Sequence, residues 1–193
     1  MNRIITISRQ FGSAGHTIGK LAAQKLGIPC YDSEIIDEVV KQSGFSHEYI
    51  KDKSEYASGT NWFTSALNSR DLSGFSHQDE VWAMQCRIIR EMAEKGPCVM
   101  VGRCADYILK DIQDIVRVFI FADMEDRAKR IVEQYGESPV DPVKRLKDKD
   151  KRRAAYYNFY TDIKWGASEN YDITLNSAAI GIDKCVDIVT MLY

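Results

Sequence analysis

The stretch ISRQFGSAGHTIGK, residues 7–20, decides how the rest of the chain is read. It overlaps a short β-branched run, RIITIS over residues 3–8, that suits a buried strand. It leads into Ile18, Leu21, Ala22, Lys25 and Leu26, which fall at helical spacing, with Gly27 where a helix C-cap glycine belongs. A glycine loop between a strand and a helix gathers backbone N–H groups around an anion at the positive end of the helix. Gly12 and Gly15 allow a tight turn and a close approach to a ligand, and small Ser13 and Ala14 leave the amides uncovered. The match to G-x-x-x-x-G-K-[ST] is partial. With Gly15 as the second glycine, Gln10 stands at the first, His16 at the lysine and Thr17 at the hydroxyl residue. Thr17 suits a Mg²⁺ ligand. His16 is shorter than lysine and only partly charged near neutrality, which leaves Arg9 and Lys20 as other sources of charge. A plain glycine turn between strand and helix is the competing reading of this loop taken alone.

Outward from the loop, strands and helices alternate. Residues 28–31 read as a second strand, with Ser33 as N-cap of a helix over 34–42 and Gly44 ending it. Residues 45–76 have weak periodicity and many Ser, Asn, Asp and Gly, and read as a mobile, partly helical insertion. Val81, Met84, Ile88, Ile89 and Met92 restore a helical pattern that Gly96-Pro97 stops. CVMV (98–101) and VRVFIF (116–121) are apolar enough for central parallel strands. Helices are expected over 124–135 and 139–160, a last strand over 171–175 and a closing helix over 178–192. This order predicts an α/β fold of three layers, a parallel sheet covered by helices on both faces.

The 193 residues point to one domain, and a 45% hydrophobic, 28% charged composition supplies a full core. A net charge of −2 argues against a nucleic-acid binder. No apolar run approaches the roughly 20 residues of a membrane span, and MNRIITISRQ lacks signal-peptide character. Cys30, Cys86, Cys98, Cys104 and Cys185 are scattered, without C-x-x-C spacing, and read as reduced thiols of a cytoplasmic protein.

Four segments occur in the order found in cytidylate kinases: the loop, YDSEII (31–36), VGRCAD (101–106) and RLKDKDKRRAAYY (145–157). RVFIFADMEDRAKRI (117–131) also resembles that family's strand followed by an E-x-R-A helix. The chain thus resembles the cytidylate kinase-like family of the P-loop nucleoside monophosphate kinase superfamily over nearly its whole length. The resemblance implies a five-stranded parallel sheet of P-loop NTPase type within a single kinase domain over 1–193. It also implies a helical acceptor-binding insertion over 45–95 and a lid segment over 136–160. The implied cofactors are ATP and Mg²⁺, and the implied partners are small nucleotide substrates. By the same resemblance Gly12, Ser13, Ala14, Gly15, His16 and Thr17 would hold the donor phosphates, and Ser33, Arg103 and Asp106 would lie at the acceptor. Asp150 and Arg153 match an aspartate and an arginine of the lid. The family's tyrosine and arginine after the serine are replaced by Asp37 and Glu38, and an earlier lid arginine by Leu146.

The same residues have plainer readings. Residues 144–153 hold seven basic and two acidic side chains; they suit a phosphate-neutralising lid with Arg152 and Arg153, or a solvated face with Lys144–Asp148 and Lys147–Asp150 pairs. Arg103 follows a strand's carboxyl end, where α/β sheets bind ligands, or is a surface arginine. Asp32 offers Mg²⁺ a second ligand beside Thr17, or is a helix's N-terminal acid. Tyr156, Tyr157, Phe159 and Tyr160 read as packing, and His47 and His77 as isolated. The expected function is phosphoryl transfer from ATP to a nucleoside monophosphate or similar small acceptor, with Arg103, Asp150, Arg152 and Arg153 as catalytic residues. The rival is a nucleotide- or phospholigand-binding sensor that transfers nothing, favoured by His16, Asp37 and Glu38.

Overall fold

The computed structural model describes residues 3–48, 50, 77–112 and 114–193. Most of the insertion expected at 45–76 lies outside these residues. Strand β1 (Ile4–Arg9) runs into helix α1 (Gly15–Leu26), then β2 (Cys30–Tyr31) and α2 (Ser33–Ser43). Helix α3 (His77–Glu94) leads to β3 (Cys98–Val101), the short α4 (Ala105–Ile108) and β4 (Ile115–Phe121). Helices α5 (Met124–Tyr135) and α6 (Pro142–Thr161) precede β5 (Ile173–Asn176), α7 (Ser177–Ile180) and α8 (Ile182–Met191).

The five strands form one parallel sheet in the order β2-β3-β1-β4-β5. Side chains alternate across it, as the pleat requires. Ile4, Cys98 and Met100 face Ile35, Ile88, Ile89, Tyr156 and Tyr157, whereas Ile5, Ile7, Val99, Val101, Val118 and Ile120 face Ile18, Ala22, Val186 and Val189. Both faces are therefore dry, which explains the uninterrupted apolar strands. The connection leaving β1 heads toward the β2 edge, and those leaving β3 and β4 head toward β5. The carboxyl end of β1 is thus a topological switch point, where open α/β sheets form their ligand crevice.

Local chemistry set several boundaries differently from the sequence reading. Asp32, not Ser33, occupies the N-cap position of α2, and its side chain makes no capping bond. Helix α6 starts at Pro142, not Pro139: Asp141 accepts from the Lys144 N–H at 2.9 Å and proline fits the first helical position. The closing helix is two, because Gly181 at φ 83°, ψ 153° leaves helical geometry between α7 and α8. Helix α4 was not expected from the sequence. Gly27 (φ 68°) and Gly44 (φ 72°) end α1 and α2 in the left-handed conformation.

Candidate active site

The loop between β1 and α1 is held by its carbonyls, its side chains and the Phe11 and Ser13 N–H groups, leaving the amides at the start of α1 for a ligand. Ser13 is buried, and its hydroxyl lies within donating distance of Gln10 O (2.9 Å) and Ile120 O (3.0 Å). The Ser13 carbonyl accepts from the Ser177 hydroxyl at 2.7 Å. Gly12 adopts φ 79°; a Cβ there would sit 2.9 Å from Ile131 Cγ2 and 3.1 Å from Arg127 O. Ala14 is also left-handed, at φ 62°. The first α1 amide to bond back is that of Ile18, to Ala14 O at 2.9 Å. The N–H groups of Gly15, His16 and Thr17 therefore have no intrahelical acceptor. They border a cleft of about 230 Å³ lined by the loop together with Arg9, Asp32, Gln134, Tyr135 and Arg153.

Charged side chains crowd this cleft. Asp32 faces Arg9 Nη2 at 3.7 Å and His16 Nε2 at 3.4 Å. Thr17 Oγ1 accepts from Arg130 Nη2 at 3.2 Å. Asp150 reaches in from α6, accepting from the Phe11 N–H at 2.7 Å and from Arg127 Nη1 at 2.5 Å, and Arg127 also donates to Phe11 O. Arg153 is 5% exposed, donates to Arg9 O at 3.0 Å and lies over the Phe11 ring. The pairing expected for a solvated α6 face is not found: Asp148 pairs with Arg152 (2.7 Å), and Asp150 turns inward to Arg127.

A second, narrow crevice of about 10 Å³ adjoins the first, lined by Ser8, Arg9, Arg103, Arg153, Tyr157 and Trp165 among others. Gly102, Arg103 and Cys104 are consecutive left-handed residues, at φ 75°, 58° and 55°. Non-glycine residues in that region store on the order of 1–2 kcal/mol each. The turn buries Arg103, whose carbonyl accepts from Gln85 Nε2 at 3.1 Å. Asp106 is 3% exposed, accepting from the Tyr157 hydroxyl at 2.7 Å and the Ser8 hydroxyl at 3.4 Å. Burial pushes the Asp106 carboxyl above the usual carboxylate range, against the pull of Tyr157 and Ser8. Burial, with Asp106 alongside, likewise raises the Tyr157 phenol.

The structure thus brings Gly12, Ser13, Ala14, Gly15, His16, Thr17, Asp32, Asp150 and Arg153 to one cleft or its supports, with Arg103 and Asp106 beside them. Ser33 is exposed at the start of α2, and Arg152 bonds along its own helix. Sequence reading assigned no role to Arg127, Arg130 or Ser177. Arg127 had a visible signal: it lies four residues before buried Ile131, an arginine on the core-facing stripe of α5.

The family model for the cytidylate kinase-like family matches residues 4–179. This chain belongs to that family. A cytidylate kinase of Archaeoglobus fulgidus is 28% identical over 191 residues, covering 96% of this chain and 91% of the relative. The crystal structure of an uncharacterized protein from Eubacterium ventriosum matches with a TM-score of 0.73 at 30% identity, over 98% of this chain and 96% of that one. Shikimate kinase from Acinetobacter baumannii, in complex with shikimate, shares the fold: TM-score 0.56, 16% identity, 98% and 92% coverage. Membership in this cytidylate kinase-like family makes the chain a phosphotransferase by type, acting on a small substrate.

The donor set of this family member is also compatible with Mg²⁺. Among the described residues no group of three or more His, Cys, Asp or Glu could hold a metal by itself. Mg²⁺ ordinarily takes one or two protein ligands and completes its shell with phosphates and water. Thr17 and Asp32, which share the main cleft, are of the right type and number. Burial raises Cys30 and Cys86 to about 11 and Cys98 to about 12, which holds these thiols protonated near neutrality. Among the described residues, no helix is long and apolar enough to cross a membrane.

Proposed function

We propose that this protein transfers the γ-phosphoryl group of ATP to a nucleoside monophosphate, cytidylate or a close relative. The observation that carries this reading is the loop with its α1 amides turned to a cleft that also contains two buried guanidiniums, Arg9 and Arg153. An acceptor phosphate oxygen forms the new bond to phosphorus, the bond to the β,γ-bridging oxygen breaks, and ADP leaves with the electron pair. Such transfer needs positioning and charge neutralisation more than covalent help. The amides of Gly15, His16 and Thr17 hold donor phosphates. Thr17 and Asp32 would hold Mg²⁺, which would supply neutralisation of phosphate charge. Arg103 fixes the acceptor phosphate and Arg153 faces the transferring group; Arg152, paired with Asp148 in this structure, would join it only by leaving that pair. Asp150 and Asp106 position α6, and Ser33 borders the acceptor. The 45–95 insertion reads the acceptor and the 136–160 segment acts as lid. The relative named cytidylate kinase supports the choice of acceptor class.

A coupled assay of ADP release over a panel of nucleoside monophosphates tests this. A pyrimidine monophosphate should support turnover at least about tenfold above the others. ATP binding with no ADP release for any member would favour the sensor, for which exposed His16 at the lysine position speaks.

A further inference from the structure

The lysine position of the phosphate loop is held by His16, whose side chain is 56% exposed. Lys20, the next cation along α1, is exposed and lines neither cleft. Arg9 is different. It is 5% exposed and lines both the phosphate-loop cleft and the crevice beside Arg103. Its backbone is locked in register with Ile120 in the sheet, and its carbonyl is held by Arg153. Its stem passes directly against the second loop glycine: a Cβ on Gly15 would fall 2.4 Å from Arg9 Cβ and 2.9 Å from its Cγ. Gly15 is therefore required by Arg9 as much as by a ligand. Asp32 stands 3.7 Å from Arg9 Nη2, an ion pair beyond hydrogen-bond distance.

We infer that Arg9 supplies the phosphate-binding cation missing at position 16, contacting the terminal phosphoryl group of ATP where the two clefts meet. The inference rests on the proposed function and assigns it a further catalytic residue. Taking a guanidinium out of water carries a penalty of several kcal/mol. Its rigid fork matches two oxygens of one phosphate, which an imidazole cannot do. The place of Arg9 on the wall shared by both clefts is the place of the group that moves between them. Arg153 reaches the same wall from α6, so the transferring group meets one cation from the sheet and one from the helix.

Calorimetric binding of ATP and of ADP, each with Mg²⁺, tests this on the wild type, Arg9→Met, Arg9→Lys, His16→Ala and the double variant Arg9→Met/His16→Lys. Thermal midpoints check that each is folded. Arg9→Met should weaken ATP about 30-fold and ADP less than about threefold. His16→Ala should cost ATP affinity less than Arg9→Met does, and a lysine at position 16 should recover about tenfold of the loss in the double variant. If Arg9→Met fails to fold, Arg9→Lys decides: about tenfold weaker ATP binding with ADP little changed supports the role. Arg9 variants that bind ATP like the wild type, lose ATP and ADP equally, or gain nothing from lysine at 16 overturn this inference alone. A wild type that binds neither nucleotide overturns the proposed function with it.

Discussion

Asp106 shows how one buried residue shapes behaviour beyond its own contacts. Its carboxyl is raised by burial, so the folded protein holds that proton at pH values where the unfolded chain has released it. The native state then binds more protons than the unfolded state, and the slope of stability with pH is negative. This residue's contribution is most favourable below the ordinary aspartate value of about 3.9 and is lost as pH rises through its raised value. Asp106→Asn removes the titration and keeps an oxygen for Tyr157. The difference in urea unfolding free energy, variant minus wild type, should therefore grow from pH 4 toward pH 8. A constant difference would show that Asp106 titrates as it does in the unfolded chain. Residue identity alone did not reveal this: VGRCAD marked Arg103 and Asp106 as candidates, but the left-handed turn that buries both, and the Tyr157 hydroxyl 51 positions away, are tertiary facts.

At the scale of elements, α6 resolves the ambiguity of the basic run. Leu146, Asp150, Arg153 and Tyr157 recur at helical spacing and share the inward face, with Leu146 fully buried. The exposed remainder is the solvated charge that composition suggested. One apolar side chain and three polar ones thus seat α6 on α5, on the phosphate loop and on Asp106. Aromatic packing continues the stripe, with Tyr160 stacked on Trp82 of α3 at 4.1 Å. Asp150→Ala should cost about 3 kcal/mol, because it strands the buried Arg127 guanidinium. Asp150→Asn should cost less, since its amide oxygen still accepts from Phe11. Chemical denaturation would measure both, and equal small effects would mean that the Arg127–Asp150 pair does not anchor α6. Helices α1 and α5 and strand β3 were legible in the sequence because their local patterns agree with the fold. The split at Gly181 was missed because apolar periodicity runs through it.

At the scale of the molecule, the two clefts differ in readiness. The phosphate-loop cleft has room for phosphate groups, whereas the crevice beside Arg103 holds about the space of one water. On the proposed function, an acceptor phosphate beside Arg103 would require the surrounding elements to move apart, a gating step of the kind many kinases use. On the same reading, ATP with Mg²⁺ would bind at the phosphate-loop cleft. At 100 times its Kd it should raise the unfolding free energy by about 2.7 kcal/mol, read from denaturation midpoints. No shift at saturating ATP would deny that the loop is a nucleotide site.

Sequence by itself determined the parallel α/β fold, the phosphate loop and the family, because these rest on local signals: β-branched strands, glycines at the turn and helical apolar spacing. It also named most residues that line the main cleft. Tertiary structure alone decided which arginines are buried beside the main cleft, which members of the basic run turn inward, and how Arg127, Arg130 and Ser177 hold the loop. Those outcomes depend on burial and on pairs separated by up to 164 positions, such as Ser177 and Ser13, and no local pattern encodes a distance in space.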